Sequence, residues 1–165
     1  VRLPPTALLG CIKKPADPRA AFFSKISRVA VGTIALSSFG ISSLQVASYV
    51  TARYSLRRHV IDPTRGQPKP IMSFQTQKKP ILTAVAQAFV LQAMHRQAIA
   101  WFVDPELDPR VRNAVATVDK VATLQAAQIA NLTLGDRCGA QGLFEANQLS
   151  ALHVRDISPA LVLPC

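Results

Sequence analysis

Residues 29–52 read VAVGTIALSSFGISSLQVASYVTA, and none of them is charged. Arg28 and Arg53 bracket the run. A helix of this length is long enough to cross a bilayer. Against that stand Thr33, Ser37, Ser38, Ser42, Ser43, Gln45, Ser48 and Thr51. So many hydroxyls make a poor lipid-facing surface. They suit instead the central helix of a bundle, where small side chains let neighbouring helices come close. The run is therefore expected to be a core helix and not a membrane span.

Working outward, Asp17-Pro18-Arg19 has the order of a helix start, with an acid as cap and a proline in the first turn. One long helix is expected over 19–60, and residues 1–18, with four prolines, form an extended lead-in. Asp62-Pro63, Gly66, Pro68 and Pro70 make 61–71 a loop. A second helix is expected over 72–103, kinked or restarted at Pro80. Ile81, Val85, Phe89, Gln92, Ile99 and Phe102 keep its period, and His95 and Arg96 make it unsuited to a membrane. A turn rich in Asp and Pro leads to a third helix over 110–134, with Val111, Val115, Val118, Ala122, Gln125 and Ile129 as its inward stripe and Gly135 as its stop. A glycine-rich turn, Cys138-Gly-Ala-Gln-Gly142, precedes a short fourth helix over 143–154 and an irregular tail over 157–165. The fold class is thus all-α: an antiparallel four-helix bundle over 19–156.

Hydrophobic residues are 49% of the chain and charged ones 17%, which excludes a disordered segment. The net charge of +10 raises nucleic acid as a partner, but the sequence has no zinc-finger spacing, RNP motif or heptad-linked basic region. The basic pairs Lys13-Lys14, Arg57-Arg58 and Lys78-Lys79 suit a phosphorylated cofactor such as CoA or FAD. Cys11, Cys138 and Cys165 have no metal-ligand spacing, so no metal is expected and the thiols read as reduced.

Four segments carry a family resemblance. Val1-Arg-Leu-Pro-Pro-Thr-Ala-Leu-Leu9 resembles the exit from the β-domain of acyl-CoA oxidases. Arg53-Tyr-Ser-Leu-Arg-Arg58 resembles their RYSxxR motif, Ile71-Met-Ser-Phe-Gln-Thr-Gln77 their FQTQ helix entry, and Asp136-Arg-Cys-Gly-Ala-Gln-Gly142 their CGGxG turn. All four stand in family order. The chain therefore resembles the C-terminal helical domain of acyl-CoA oxidases and acyl-CoA dehydrogenases, and the bundle is expected to be of that type.

The resemblance implies FAD bound across a dimer interface, with a flavin taking a hydride from an acyl thioester while a glutamate takes the α-proton. It implies Arg58 as the grip on the FAD pyrophosphate, and Gly139, Gln141 and Gly142 as the turn beside the cofactor. Gln75 and Gln77 are expected to serve packing and hydrogen bonding. It further implies a homodimer, or a hetero-oligomer with a chain supplying the remaining domains, acyl-CoA or another apolar small molecule as ligand, and a cytoplasmic or peroxisomal location.

Departures accompany it. Ile61 stands where the family has phenylalanine, and Asp136 where it often has glutamine. No Glu follows Glu145, and no carboxylate lies between Asp17 and Asp62, so both family positions for the catalytic base are empty. The proton-transfer candidates are Glu145, His95 and His153. Redox chemistry by this chain alone is not expected. The alternative is a flavin-free bundle that orders an apolar substrate and acts as a cyclase or isomerase.

Overall fold

A computed structural model describes residues 16–153. Helix α1 spans Pro18–Arg57, strands β1 (His59–Ile61) and β2 (Pro68–Pro70) pair antiparallel, and a 3-10 turn at Ile71–Ser73 leads to α2, Gln75–Val103. Helix α3 is Pro109–Arg137. Two 3-10 turns, Gly139–Leu143 and Glu145–Asn147, follow it, and residues 149–153 are helical again. The lead-in before residue 16, and Val154 with the tail beyond it, lie outside the described residues.

The cap expected at Asp17 forms, and Asp108 makes a second one at the start of α3. The Asp17 carboxylate accepts the Arg19 amide at 2.8 Å, and that of Asp108 accepts the Arg110 amide at 2.7 Å, each with proline at the first helical position. Such caps satisfy amides that have no partner within the helix. Helix α1 stops at Arg57, and the expected loop contains a ribbon that places His59 opposite Pro70. Its turn is held by the Asp62 amide on the Gln67 carbonyl, with Gly66 at φ 63. There the Thr64 hydroxyl, aided by the Thr64 amide, holds the Asp62 carboxyl below its usual pKa.

Helix α2 begins at Gln75, after the 3-10 turn, and runs through Pro80 as one element. Gly135 does not end α3. The helix passes through it to Arg137, and the chain turns at Gly139 with φ 59. The expected fourth helix does not start at residue 143: 3-10 turns occupy 139–143 and 145–147, and helix resumes only at residue 149.

Side-chain pairings set the directions. Ser38 and Ser55 of α1 meet His95 and Gln77 of α2, so these helices are antiparallel. Ser43 and Thr51 meet Asn131 and Cys138, so α1 and α3 run the same way. On α1 the positions 34, 37, 41, 44, 48, 51 and 55 are all buried, the three-four alternation of a coiled-coil seam. Four of those seven are Ser or Thr, and Ala, Thr and Asn dominate the facing side of α3. Small side chains bring the axes together. A methyl added at Gly40 would stand 3.1 Å from the backbone of Thr123.

Most of the inward stripe expected on α3 lies outside, and only Val115 packs against the core, with Ala122 half-buried. Val111, Val118 and Ile129 are 47%, 63% and 59% exposed, while Ala116, Asp119, Thr123, Ala127, Ala130, Asn131 and Leu134 are buried. On α2, Ile81 is buried as expected but Phe89 and Ile99 are exposed. The surface that packs on the hydroxyl-lined face of α1 is mostly small, with Leu124 and Leu134 buried among the alanines.

The core has two apolar clusters. The larger holds Leu44, Ile81, Ala84, Ala127, Leu134 and Leu149, and the smaller Ile34, Ala98 and Ala116. A polar layer of Ser37, Ser38, His95 and Asp119 falls between them along the helices. The stretch Arg28–Arg57 is long and apolar enough to cross a membrane, with mean hydropathy 1.5 and a third of that window buried in the bundle.

Candidate functional site

Three of the sequence motifs converge at one end of the bundle. The Gln77 side-chain amide, from the FQTQ entry to α2, donates to Ser55 Oγ at 2.8 Å and to the Arg137 carbonyl at 3.0 Å. Ser55 belongs to the RYSLRR segment, and Arg137 precedes the glycine turn. Gln77 is buried, so this amide serves two groups that would otherwise lack water. Gln77→Ala is expected to cost about 1–3 kcal/mol, because it leaves the Arg137 carbonyl without this donor. Urea midpoints with unchanged slope would measure it.

The glycine turn folds back on α3. A methyl at Gly142 would lie 3.0 Å from the Gly135 carbonyl carbon and closer still to its oxygen. Gly142 is buried, so its place in the turn is a packing one. Gly139 and Gln141 are exposed. Gln141, Phe144 and Asn147, with Val50, Tyr54 and Cys138, line an open cleft of about 330 Å³. Cys138 Sγ lies 3.8 Å from Thr51 Oγ1, and burial raises the thiol's pKa above its usual value. The protonated form dominates at neutral pH, so this cysteine is a small apolar wall and not a nucleophile.

Arg58 is exposed just past the end of α1, and its carbonyl accepts the Ile71 amide at 2.9 Å. Arg53, Arg57, Lys79 and Arg137 are exposed at the same end, with Asp62, Asp136 and Glu145 as the local acids. Glu145 is exposed in the second 3-10 turn, outside the cleft lining. His153 is partly buried, and its Nδ1 has no hydrogen-bond partner among the described residues. The three proton-transfer candidates therefore do not come together.

His95 sits apart from the motif end, in the polar layer. Its Nδ1 is 2.6 Å from Asp119 Oδ2, and its Nε2 is 2.8 Å from Ser38 Oγ. A carboxylate only accepts, so the Nδ1 proton points to Asp119, and in the neutral imidazole Nε2 is left to accept the Ser38 hydroxyl. Asp119 is 1% exposed and its Oδ1 has no partner among the described residues, whereas Ser38 is open to solvent. Neither Ser38 nor Asp119 was singled out from the sequence. The available signal was that Asp119 is the lone acid in α3 before Asp136, in helical phase with Ala116 and Thr123.

Among the described residues, no group of three or more His, Cys, Asp or Glu side chains is placed to hold a metal ion. No protein-family model matches the chain, and no curated protein does.

Proposed function

We propose that this chain is the C-terminal helical domain, or a subunit, of an FAD-dependent acyl-CoA oxidase or dehydrogenase, contributing a cofactor wall and an oligomer interface without the catalytic base. The observation that carries this reading is the meeting of RYSLRR, FQTQ and the glycine turn at Gln77. Segments with no reason to be neighbours in sequence form one corner. A bundle whose motif residues scattered over its surface would not support a shared site.

The corner fits a phosphorylated cofactor. Arg58 is exposed and carries a planar fork of donors suited to pyrophosphate oxygens. Gly139, at φ 59 with open space where a side chain would be, lets a ligand approach the backbone, and Gln141 stands beside it. A bound flavin would supply the hydride acceptor. This chain's share is to hold phosphate and to wall the cleft, while the α-proton acceptor comes from another chain or segment.

The exposed side chains support the interface. Leu82, Phe89, Val90 and Trp101 of α2, and Val118, Val121, Ile129 and Leu132 of α3, give both helices apolar outer faces. Apolar surface on this scale marks a partner, here a second copy or the chain carrying the other domains.

Titration of the purified chain with FAD, followed by flavin fluorescence, tests the reading. Saturable quenching is expected, weakened about 10- to 100-fold in Arg58→Ala, the loss of a charged hydrogen bond of roughly 1.5–3 kcal/mol. A folded, oligomeric chain that leaves flavin fluorescence unchanged would overturn the FAD reading in favour of the flavin-free cyclase or isomerase.

A further inference from the structure

We propose that Ser38 is a nucleophile activated by His95 and Asp119, able to take an acyl group from an activated ester or thioester. The three residues come from three helices and lie in one line: Ser38 Oγ to His95 Nε2 at 2.8 Å, and His95 Nδ1 to Asp119 Oδ2 at 2.6 Å. These are the contacts by which a base accepts a hydroxyl proton and a carboxylate holds that base in the right tautomer. Burial is graded to match. Asp119 is sealed in the bundle, His95 is nearly so, and Ser38 opens to solvent where a substrate can arrive.

Stability alone gives a poor account of the acid. Its second oxygen, Oδ1, is buried without a partner among the described residues, a cost that a neutral apolar side chain would avoid. As the partner of an imidazole that must become cationic during proton transfer, a carboxylate has a role there that an apolar side chain cannot fill.

The reaction balances without a further reagent. Ser38 Oγ bonds to the acyl carbon and its proton passes to His95 Nε2. The bond to the leaving alkoxide or thiolate breaks, and His95 returns the proton to that group. Water then cleaves the acyl-serine by the same path, restoring Ser38 and releasing the carboxylic acid. Ser38 lies inside an unbroken helix, so the amides of α1 around it are engaged in the helix ladder. They do not form an oxyanion hole, whose donors are each worth about 10²–10³ in rate. The site is therefore suited to electrophilic acyl donors with good leaving groups, and its signature is covalent occupancy of Ser38 with slow turnover.

A fluorophosphonate probe, which captures activated serines irreversibly, tests this on the full chain, with the adduct mapped by peptide mass spectrometry. The expected result is an adduct at Ser38, absent in Ser38→Ala and formed about 100-fold more slowly, or less, in His95→Gln, the lower end of what general-base assistance contributes. Ser42, exposed one turn on in the same helix, is the internal control. Labelling of Ser38 no faster than Ser42, or an unchanged rate in His95→Gln, would overturn the proposal and leave the three residues as a structural tie. Should His95→Gln not fold, the comparison of Ser38 with Ser42 in the unaltered chain decides by itself.

Discussion

Leu44→Ala is expected to destabilise the chain by about 2–5 kcal/mol, the range for emptying a buried leucine site. Leu44 is fully buried at the centre of α1, in the cluster with Ile81, Ala84, Ala127 and Leu134. Two features place the cost in the upper part of that range. Half of that cluster is alanine, which cannot reach into the space a lost isobutyl group leaves. The helix backbones are already close, as Gly40 against Thr123 shows, so α1 cannot sink toward α3 to close the gap. For a domain of this size each kcal/mol moves Tm by roughly 2–4 °C, so a loss of ~4 kcal/mol lowers it by about 8–16 °C. Calorimetry or thermal circular dichroism reads the shift. Leu56→Ala, at a largely exposed position of the same helix, is the control and should stay within about 0.5 kcal/mol of the unaltered chain. Equal losses at the two positions would mean that α1 is not packed through the seam described.

The glycines of the turn give the second large effect, with opposite signs at two residues that touch. Gly142→Ala drives a methyl into the Gly135 carbonyl, backbone against backbone, and nothing there is the flexible end of a side chain. The loss is about 1–3 kcal/mol or more, the range for overpacking where the surroundings cannot give. Gly135→Ala adds its methyl where nothing lies within 4 Å, inside the regular part of α3. It should stabilise by about 0.5–1 kcal/mol, the helix preference of alanine over glycine. Urea unfolding of both variants, compared at equal slope, checks the pair. Two losses would show that α3 does not continue through Gly135. Because the turn also forms one wall of the cleft, the proposed FAD site would be weakened by Gly142→Ala and left unchanged by Gly135→Ala.

The readings that held were those carried by local chemistry. Asp17-Pro18 starts a helix because a carboxylate can reach two residues along the backbone whatever the tertiary context, and Asp108-Pro109 does the same at α3. The uncharged run of α1 is helical and packed on its hydroxyl side, with Ser43 against Asn131 and Ser55 against Gln77. The boundaries that moved were those at glycine and proline. Gly135 stands inside α3 with open space where a side chain would be, and Pro80 falls near enough to the start of α2 that the helix carries it. The residues of the motif end were visible as motifs, but their meeting was not. Gln77 is separated from Ser55 by 22 positions and from Arg137 by 60.

By itself, then, the sequence determined that this chain is mostly helical, where α1 starts, and that the hydroxyl face of α1 packs on other helices. Those properties follow from caps, charge and side-chain size, all of which act within a few residues. Only the tertiary structure decided which face of α3 turns inward and which polar groups meet. Hydrophobic periodicity favoured the valine stripe. The face that packs instead is mostly small, with Thr123 and Leu124 lying against Gly40 of α1, and helix packing geometry as well as transfer energy enters that choice. The same fit brings Asp119 under His95 and His95 under Ser38, across 24 and 57 positions of sequence. No local pattern records that alignment, because it exists only when three helices share one register.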